Sequence, residues 1–386
     1  MRRYYFDHNA TTPVADEVLE AMLPYLRGGY GNASSIHTFG QDAKAGVERA
    51  RRQVAGLLNA KPAEIVFTSG GTEADNLAIL GTVRAAPGPR KHVITSAIEH
   101  PAVLSTCRAL EREGVDVTYV RVGSSGVVSP GDVRAALRPE TVLISIMHAN
   151  NEIGTVQPIA EIARIAREAG ALLHSDGVQS CGKLATNMHE LGVDLFTLSG
   201  HKIYGPKGVG ALFVRKGTKL GAIQHGGHHE RDRRPGTENV PGIVGLGQAA
   251  EFVQTHFAVE RERLTALRDG FERSVMERIE HASINAKTSP RVPNTSNIFF
   301  EYLEGEAMVI ALDLKGMAVS SGAACSSGSV EPSHVLTAIG LSREQARSCL
   351  RFSFGKENSE DQAGALLEAI PAVVQHLRRL SPAFAR

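Results

Sequence analysis

Four cysteines are all that this chain of 386 residues has, and no two of them are close. Cys107, Cys181, Cys325 and Cys349 form no C-x-x-C pair, which argues against a disulfide framework and a zinc cluster. Net charge is almost absent as well. Against 42 basic residues stand 41 acidic ones, which leaves no basic field to hold nucleic acid or an anionic membrane surface. No apolar run is long enough to span a bilayer. The opening Met1-Arg2-Arg3-Tyr4-Tyr5-Phe6-Asp7-His8 lacks an apolar stretch, so no secretory signal is expected. Internal repeats and low-complexity tracts are missing too. With 42% hydrophobic content, the expectation is a large-cored globular enzyme of two packed units, located in the cytoplasm.

What is present is alternation. Helix-spaced apolar residues run over 17–26 and 41–58. Short apolar strands are predicted at 64–68, 92–95, 115–122, 142–147, 172–174 and 195–198. Helices are predicted from Glu73, over 101–113 and over 159–168. This order predicts an α/β fold with a mostly parallel sheet covered on both faces. Such sheets carry their sites at the carboxyl ends of the strands. From about 240 to 280 the chain reads as one long helix. Beyond it lie strand candidates at 296–301 and 350–354, helices near 306–312 and 334–339, and a terminal helix over 359–380. The expected division is a large domain over 14–255 and a smaller α+β domain built from 1–13 and 256–386.

Four predicted strand ends carry chemistry that fits one cofactor. Lys202 follows one apolar run within Ser199-Gly200-His201-Lys202, and Asp176 ends another, with Gln179 just beyond. A lysine amine and a strand-end carboxylate are what pyridoxal phosphate needs. The amine forms a Schiff base, and the carboxylate keeps the ring nitrogen protonated so that the ring accepts electrons. Gln179 suits the ring 3-oxygen. Thr68-Ser69-Gly70-Gly71-Thr72-Glu73 is a strand, two glycines and a helix start, which makes a phosphate cradle. Ser199 and His201 add phosphate donors. His100 follows the fourth strand, where an imidazole can stack on the ring and exchange protons; the alternative is a capping or core histidine.

A different element is Ser320-Ser321-Gly322-Ala323-Ala324-Cys325-Ser326-Ser327-Gly328-Ser329. Its residues are nearly all small, so a mobile loop over about 320–332 is expected. A cysteine in such a loop can visit a deep site and carry a product outward. Cys107, Cys181 and Cys349 read instead as buried small hydrophobes.

Taken together, these motifs resemble the class V aminotransferase-fold enzymes, and within them the cysteine desulfurases of the NifS/IscS type. The resemblance covers nearly the whole chain: DHNATTP at 7–13, TSGGTEADNLAI, IEHPAVL, MHANNEIGTVQPI, HSDGVQS, SGHKIYGPKGVGAL, RPGTEN at 234–239 and SSGAACSSGSVEPSHVL. The extended cysteine loop is similar to that of the group I branch. The resemblance implies the fold of PLP-dependent transferases (aspartate aminotransferase-like, fold type I). It implies pyridoxal phosphate on Lys202, Asp176 at the pyridinium, Gln179 at the ring oxygen, and His100 stacked as acid/base. Gly71, Thr72, Ser199 and His201 would bind phosphate. Thr237 would reach the phosphate of a neighbouring subunit, so a homodimer is implied. Asn151 and Arg351 would hold the carboxylate of L-cysteine. Cys325 would accept sulfur as a persulfide and pass it to an acceptor protein such as an iron–sulfur scaffold. The loop reads AACSS where related sequences often carry a threonine after the cysteine, GGHHE replaces a more glycine-rich form, and the chain stops soon after Arg378-Arg379-Leu380.

Other readings are a selenocysteine lyase or an aminotransferase of the same fold, and a cofactor-free cysteine hydrolase built on Cys325 and a histidine. The last leaves Lys202 and Asp176 unexplained. His225, His228 and His229 invite a metal, but no acidic or cysteine ligand repeats at metal spacing, and no metal is expected.

Overall fold

A computed structural model describes residues 3–321 and 331–380. Cys325 and most of the predicted small-residue loop lie outside the described residues. The centre is a seven-stranded sheet. Numbered along the chain, its strands are β1 (Ile65–Thr68), β2 (His92–Ser96), β3 (Asp116–Val120), β4 (Thr141–Ser145), β5 (Leu172–Asp176), β6 (Leu195–Ser199) and β7 (Gly210–Val214). Their spatial order is β1-β7-β6-β5-β4-β2-β3. All pairings are parallel except the two made by β7, which lies antiparallel to both β6 and β1. Six strands therefore share one direction, and their carboxyl ends share one edge.

Burial explains the strand composition. Every residue of β1, β2, β6 and β7 is buried, which is the mark of a sheet covered on both faces. The strand β7 was not anticipated. Its five residues GALFV sit behind Gly205, Pro206 and Gly208, and a short apolar run after so many turn residues reads as loop. Gly210 opens it for a steric reason. A Cβ there would stand 2.7 Å from the Leu198 carbonyl and 2.8 Å from the Gly70 backbone, so only glycine lets β7 lie between its neighbours.

Two large apolar cores follow. One lies around the sheet; the other gathers Phe6, Phe271, Phe300, Phe352 and Phe354 around a three-stranded antiparallel sheet of Ala282–Ile284, Thr295–Phe300 and Cys349–Ser353. The helix Val240–Arg278, 39 residues long, joins them. Its Ile243, Leu246, Ala249 and Val253 pack in the first core, and its Leu264, Leu267, Phe271 and Val275 in the second. At 1.5 Å per residue it runs about 58 Å. The chain start is tied into the second body as well. Tyr4–Tyr5 pairs in parallel with Met317–Ala318, and Phe6 packs against Phe354. Among the described residues no helix is long and apolar enough to cross a membrane.

Candidate active site

A cavity of roughly 900 Å³ opens at the shared carboxyl edge of the sheet. Gly71, Thr72, His100, Asn151, Asp176, Gln179, Ser199, His201, Lys202 and Arg351 all line it. Ten of the twelve predicted site residues are thus brought to one wall. Cys325 lies outside the described residues. Thr237 lines a separate open depression with His225, His229 and Pro235. The strand ends that contribute number five rather than four, because the segment after β4 brings Asn151.

The helix after β1 starts at Gly71, two residues earlier than Glu73. That shift matters, because it puts Gly71 and Thr72 in the first helical turn, where backbone N–H groups have no intrahelical acceptor. A Cβ on Gly71 would come within 2.9 Å of the Val178 side chain, with Ser199 Cβ at 3.7 Å. Bare backbone therefore faces the cavity at this point.

His100 is a helix cap that also lines the cavity. It is the N-cap of Pro101–Arg112, its Nδ1 accepting from Ala102 N at 3.1 Å, and its ring lines the cavity. Because Nδ1 accepts, the neutral ring carries its proton on Nε2. Burial lowers its pKa; Asp176 opposes the shift, and Lys202 adds to it.

Asp176 is buried, and its Oδ1 accepts from Val178 N at 2.9 Å. Burial and then the nearby Asp75 raise its pKa from 3.8 to about 6. Asp75 is itself buried and raised to about 7 by desolvation, 3.5 Å from His174 Nε2. Beneath the site also lies Glu99, pushed up to about 8, chiefly by burial. Ser96 Oγ donates to its Oε1 at 2.5 Å, and Met147 N donates to both oxygens at 3.0 Å. Glu99 thereby ties the end of β2 to the segment after β4.

Lys202 ends the tight turn Gly200–Lys202 after β6. Its Nζ donates to the carbonyls of Asn9 (2.5 Å) and Ala10 (2.8 Å). The next stretch of the chain start holds the same turn. Thr12 N and Oγ1 donate to the His201 carbonyl at 2.8 and 3.0 Å, and His201 Nδ1 meets Thr11 Oγ1 at 3.1 Å. The role of Asn9 was missed, since only the motif DHNATTP marked it. Asparagine at a hydrogen-bond hub has no signature in residue type alone.

Arg351, in the strand Cys349–Ser353, donates through Nη2 to Asp7 Oδ1 at 2.7 Å and through Nη1 to Asn151 O at 2.9 Å. Its Nε, also buried, has no hydrogen-bond partner among the described residues. Backbone bonds join Arg351 to Ser320, at 2.7 and 3.2 Å. On the far side of residues 322–330, Ser333 Oγ donates to Glu152 Oε2 at 2.5 Å and His334 Nε2 donates to the Glu99 carbonyl at 2.9 Å. Glu331, Ser333 and His334 line the same cavity. The other cysteines are buried, with thiols raised to about 12 by desolvation, so they are inert at neutral pH.

A strand-edge cavity with a lysine, a buried carboxylate, a capping imidazole and a helix start is the arrangement of a PLP-dependent transferase. The chain matches the family model described as aminotransferase class-V over residues 4–366, and it belongs to that family. It is 49% identical over 381 residues to "Cysteine desulfurase IscS" of Dictyoglomus turgidum, covering 99% of this chain and 97% of that one. It is 48% identical over 378 residues to "Cysteine desulfurase" of Nostoc sp., covering 98% and 94%. Among solved structures it is similar to a NifS-like protein (TM-score 0.91, 37% identity, 97% and 100% covered). Another is SspA in complex with cysteine (TM-score 0.82, 42% identity, 91% and 98% covered). Within the class-V family, then, this chain is one of the cysteine desulfurases, and its cofactor is pyridoxal 5′-phosphate. The residues present fit that group. A buried carboxylate wants a cationic N–H, the bare Gly71 backbone leaves room for an anion, and the lysine amine reaches the same space.

Proposed function

We propose that the chain converts L-cysteine to L-alanine and captures the sulfur as a persulfide on Cys325. When bound at Lys202, pyridoxal phosphate supplies an electrophilic carbon for the substrate amine and a protonated ring that takes up electrons from Cα. Asp176 holds the ring proton, and Gly71, Thr72, Ser199 and His201 hold the phosphate. Arg351 and Asn151 grip the substrate carboxylate; of the five guanidinium N–H groups of Arg351, Asp7 and Asn151 take one each from Nη2 and Nη1, and Nε has no partner among the described residues. The Lys202 amine takes the Cα proton. His100 presents Nε2–H and exchanges a proton with the substrate thiol. The Cys325 thiolate attacks that sulfur, so that an S–S bond forms as the C–S bond breaks. The net change is one thiol plus L-cysteine giving one persulfide plus L-alanine, and an external reductant then frees the enzyme thiol.

The observation that carries this reading is the anchoring of the chain on both sides of the cysteine segment. Ser320 is paired with the carboxylate-binding Arg351, and Ser333 and His334 are fastened to Glu152 and to the residue before His100. Residues 320 and 333–334, on either side of the segment that contains Cys325, are thereby fixed beside the cavity that holds Lys202.

The finer assignments belong to the same proposal. Residues 14–255 form the large domain, and 1–13 with 256–386 the small one. The enzyme works in the cytoplasm as a homodimer, in which Thr237 completes the phosphate site of the neighbouring subunit. Exposed Leu19, Leu26, Tyr30, Ile36 and Phe39, with Tyr30 stacked on Phe39, support a covered face near the chain start. The persulfide serves an acceptor protein of iron–sulfur cluster assembly. The test measures alanine from L-cysteine with added reductant for wild type and Cys325→Ser. Alanine from wild type alone is expected; equal rates from both would remove Cys325 from the reaction.

A further inference from the structure

Lys183 was assigned no role by the sequence, and it does not line the main cavity. It lines a second one of roughly 160 Å³ behind Lys202. After β5 the chain makes a helical turn in which Cys181 N donates to the Gly177 carbonyl and Leu184 N to the Ser180 carbonyl. Residues four apart in such a turn share a face. Lys183 Nζ accordingly donates to Gln179 Oε1 at 2.9 Å, and also to Asn9 Oδ1 at 3.3 Å.

The orientation of both amides can be read from groups that only accept. Asn9 Nδ2 donates to the Asn151 carbonyl at 3.1 Å, so its Oδ1 must face Lys183. Gln179 Nε2 donates to the Asn9 carbonyl at 2.9 Å, so its Oε1 must face Lys183 too. An amide nitrogen has two hydrogens. One of those on Gln179 is spent on Asn9, and the other is left for the cavity, which Gln179 lines while almost wholly buried.

We infer that Lys183 is a positioning residue for the cofactor: by holding Gln179 Oε1 while the Asn9 carbonyl holds Nε2, it completes the clamp that keeps the amide fixed with an N–H, not a carbonyl, presented to the ring oxygen. This rests on the assignment of Gln179 to that oxygen. A flipped amide would set oxygen against oxygen, which repels rather than binds.

The test compares Lys183→Met, Lys183→Arg, Gln179→Ala and the Met/Ala double variant. Affinity of each apoprotein for pyridoxal phosphate is measured by equilibrium dialysis, with the absorption maximum of the bound cofactor and the melting temperature of the apoprotein. Lys183→Met is expected to melt no lower than wild type. It should bind the cofactor about tenfold more weakly and move the absorption maximum in the same direction as Gln179→Ala. Lys183→Arg, which keeps donors and has the neighbouring cavity to occupy, should recover most of the affinity. The double variant should be no weaker than Gln179→Ala alone, because both act through one amide. Native affinity and absorption in Lys183→Met, or additive losses in the double variant, would overturn the role of Lys183 while leaving Gln179 in place. A silent Gln179→Ala would overturn the ring-oxygen assignment and this inference with it. If Lys183→Met does not fold, Lys183→Gln, a shorter donor, makes the same comparison, with an intermediate loss expected.

Discussion

Replacing Asp176 with asparagine should stabilise the cofactor-free protein and disable the enzyme. The side chain is 5% exposed, and one oxygen already accepts from Val178 N, a bond that an asparagine Oδ1 can keep. Burial and then the nearby Asp75 raise the carboxyl from 3.8 to about 6. The sign follows from linkage. A raised carboxyl pKa means that the folded state holds the proton more tightly than the unfolded one. The charge therefore costs nothing below pH 3.8, and its cost grows until the pH passes about 6. The full cost is about 3 kcal/mol, which the neutral asparagine avoids. Apo Asp176→Asn should thus be more stable than apo wild type at pH 8, by up to about 3 kcal/mol in denaturant melts, and the gap should close toward pH 4. With pyridoxal phosphate bound the order should reverse, since only the carboxylate can pair with a charged ring N–H. Alanine formation should fall by about two to three orders of magnitude, the scale of losing one partner of a buried charge pair. A variant less stable than apo wild type at pH 8, or one that keeps activity within about tenfold, would refute the reasoning.

Two further outcomes are expected. Gly71→Ala places a methyl 2.9 Å from the Val178 side chain in the cradle, so Val178 must shift; apo stability should fall by about 1 kcal/mol and cofactor affinity by about tenfold in a binding titration. Arg351→Lys keeps one charge but cannot serve Asp7, Asn151 and a carboxylate together. KM for L-cysteine should rise by about tenfold or more, with a smaller change in kcat, and the reverse pattern would move Arg351 from binding to chemistry.

Residue types carried the sequence reading furthest where chemistry is specific to a side chain at a strand end. Lys202, Asp176 and His100 could be placed on one sheet edge from alternation alone, because parallel strands put their ends together. Backbone chemistry was harder to see. Asn9 matters through a carbonyl that receives both Lys202 and Gln179, and any residue type has a carbonyl. The strand Gly210–Val214 was hidden by the glycines that its close packing requires. Glu99 was passed over beside His100, since a buried acid inside an apolar strand end looks in sequence like a solvated one.

The contacts of the chain start carry a consequence for how the enzyme is made. Asn9 N donates to Ser353 Oγ and Asp7 pairs with Arg351, both across 344 positions of sequence. A ribosome releases the seven sheet strands and Lys202 well before residue 351 emerges. Until then the segment that seats the lysine amine is held only from the large-sheet side, by His201, Asn151 and Gln179, and long-range closure of this kind is slow. Competence to hold the cofactor should therefore arrive late in synthesis, and nascent chains arrested before residue 351 should take up pyridoxal phosphate poorly even with the whole large sheet formed.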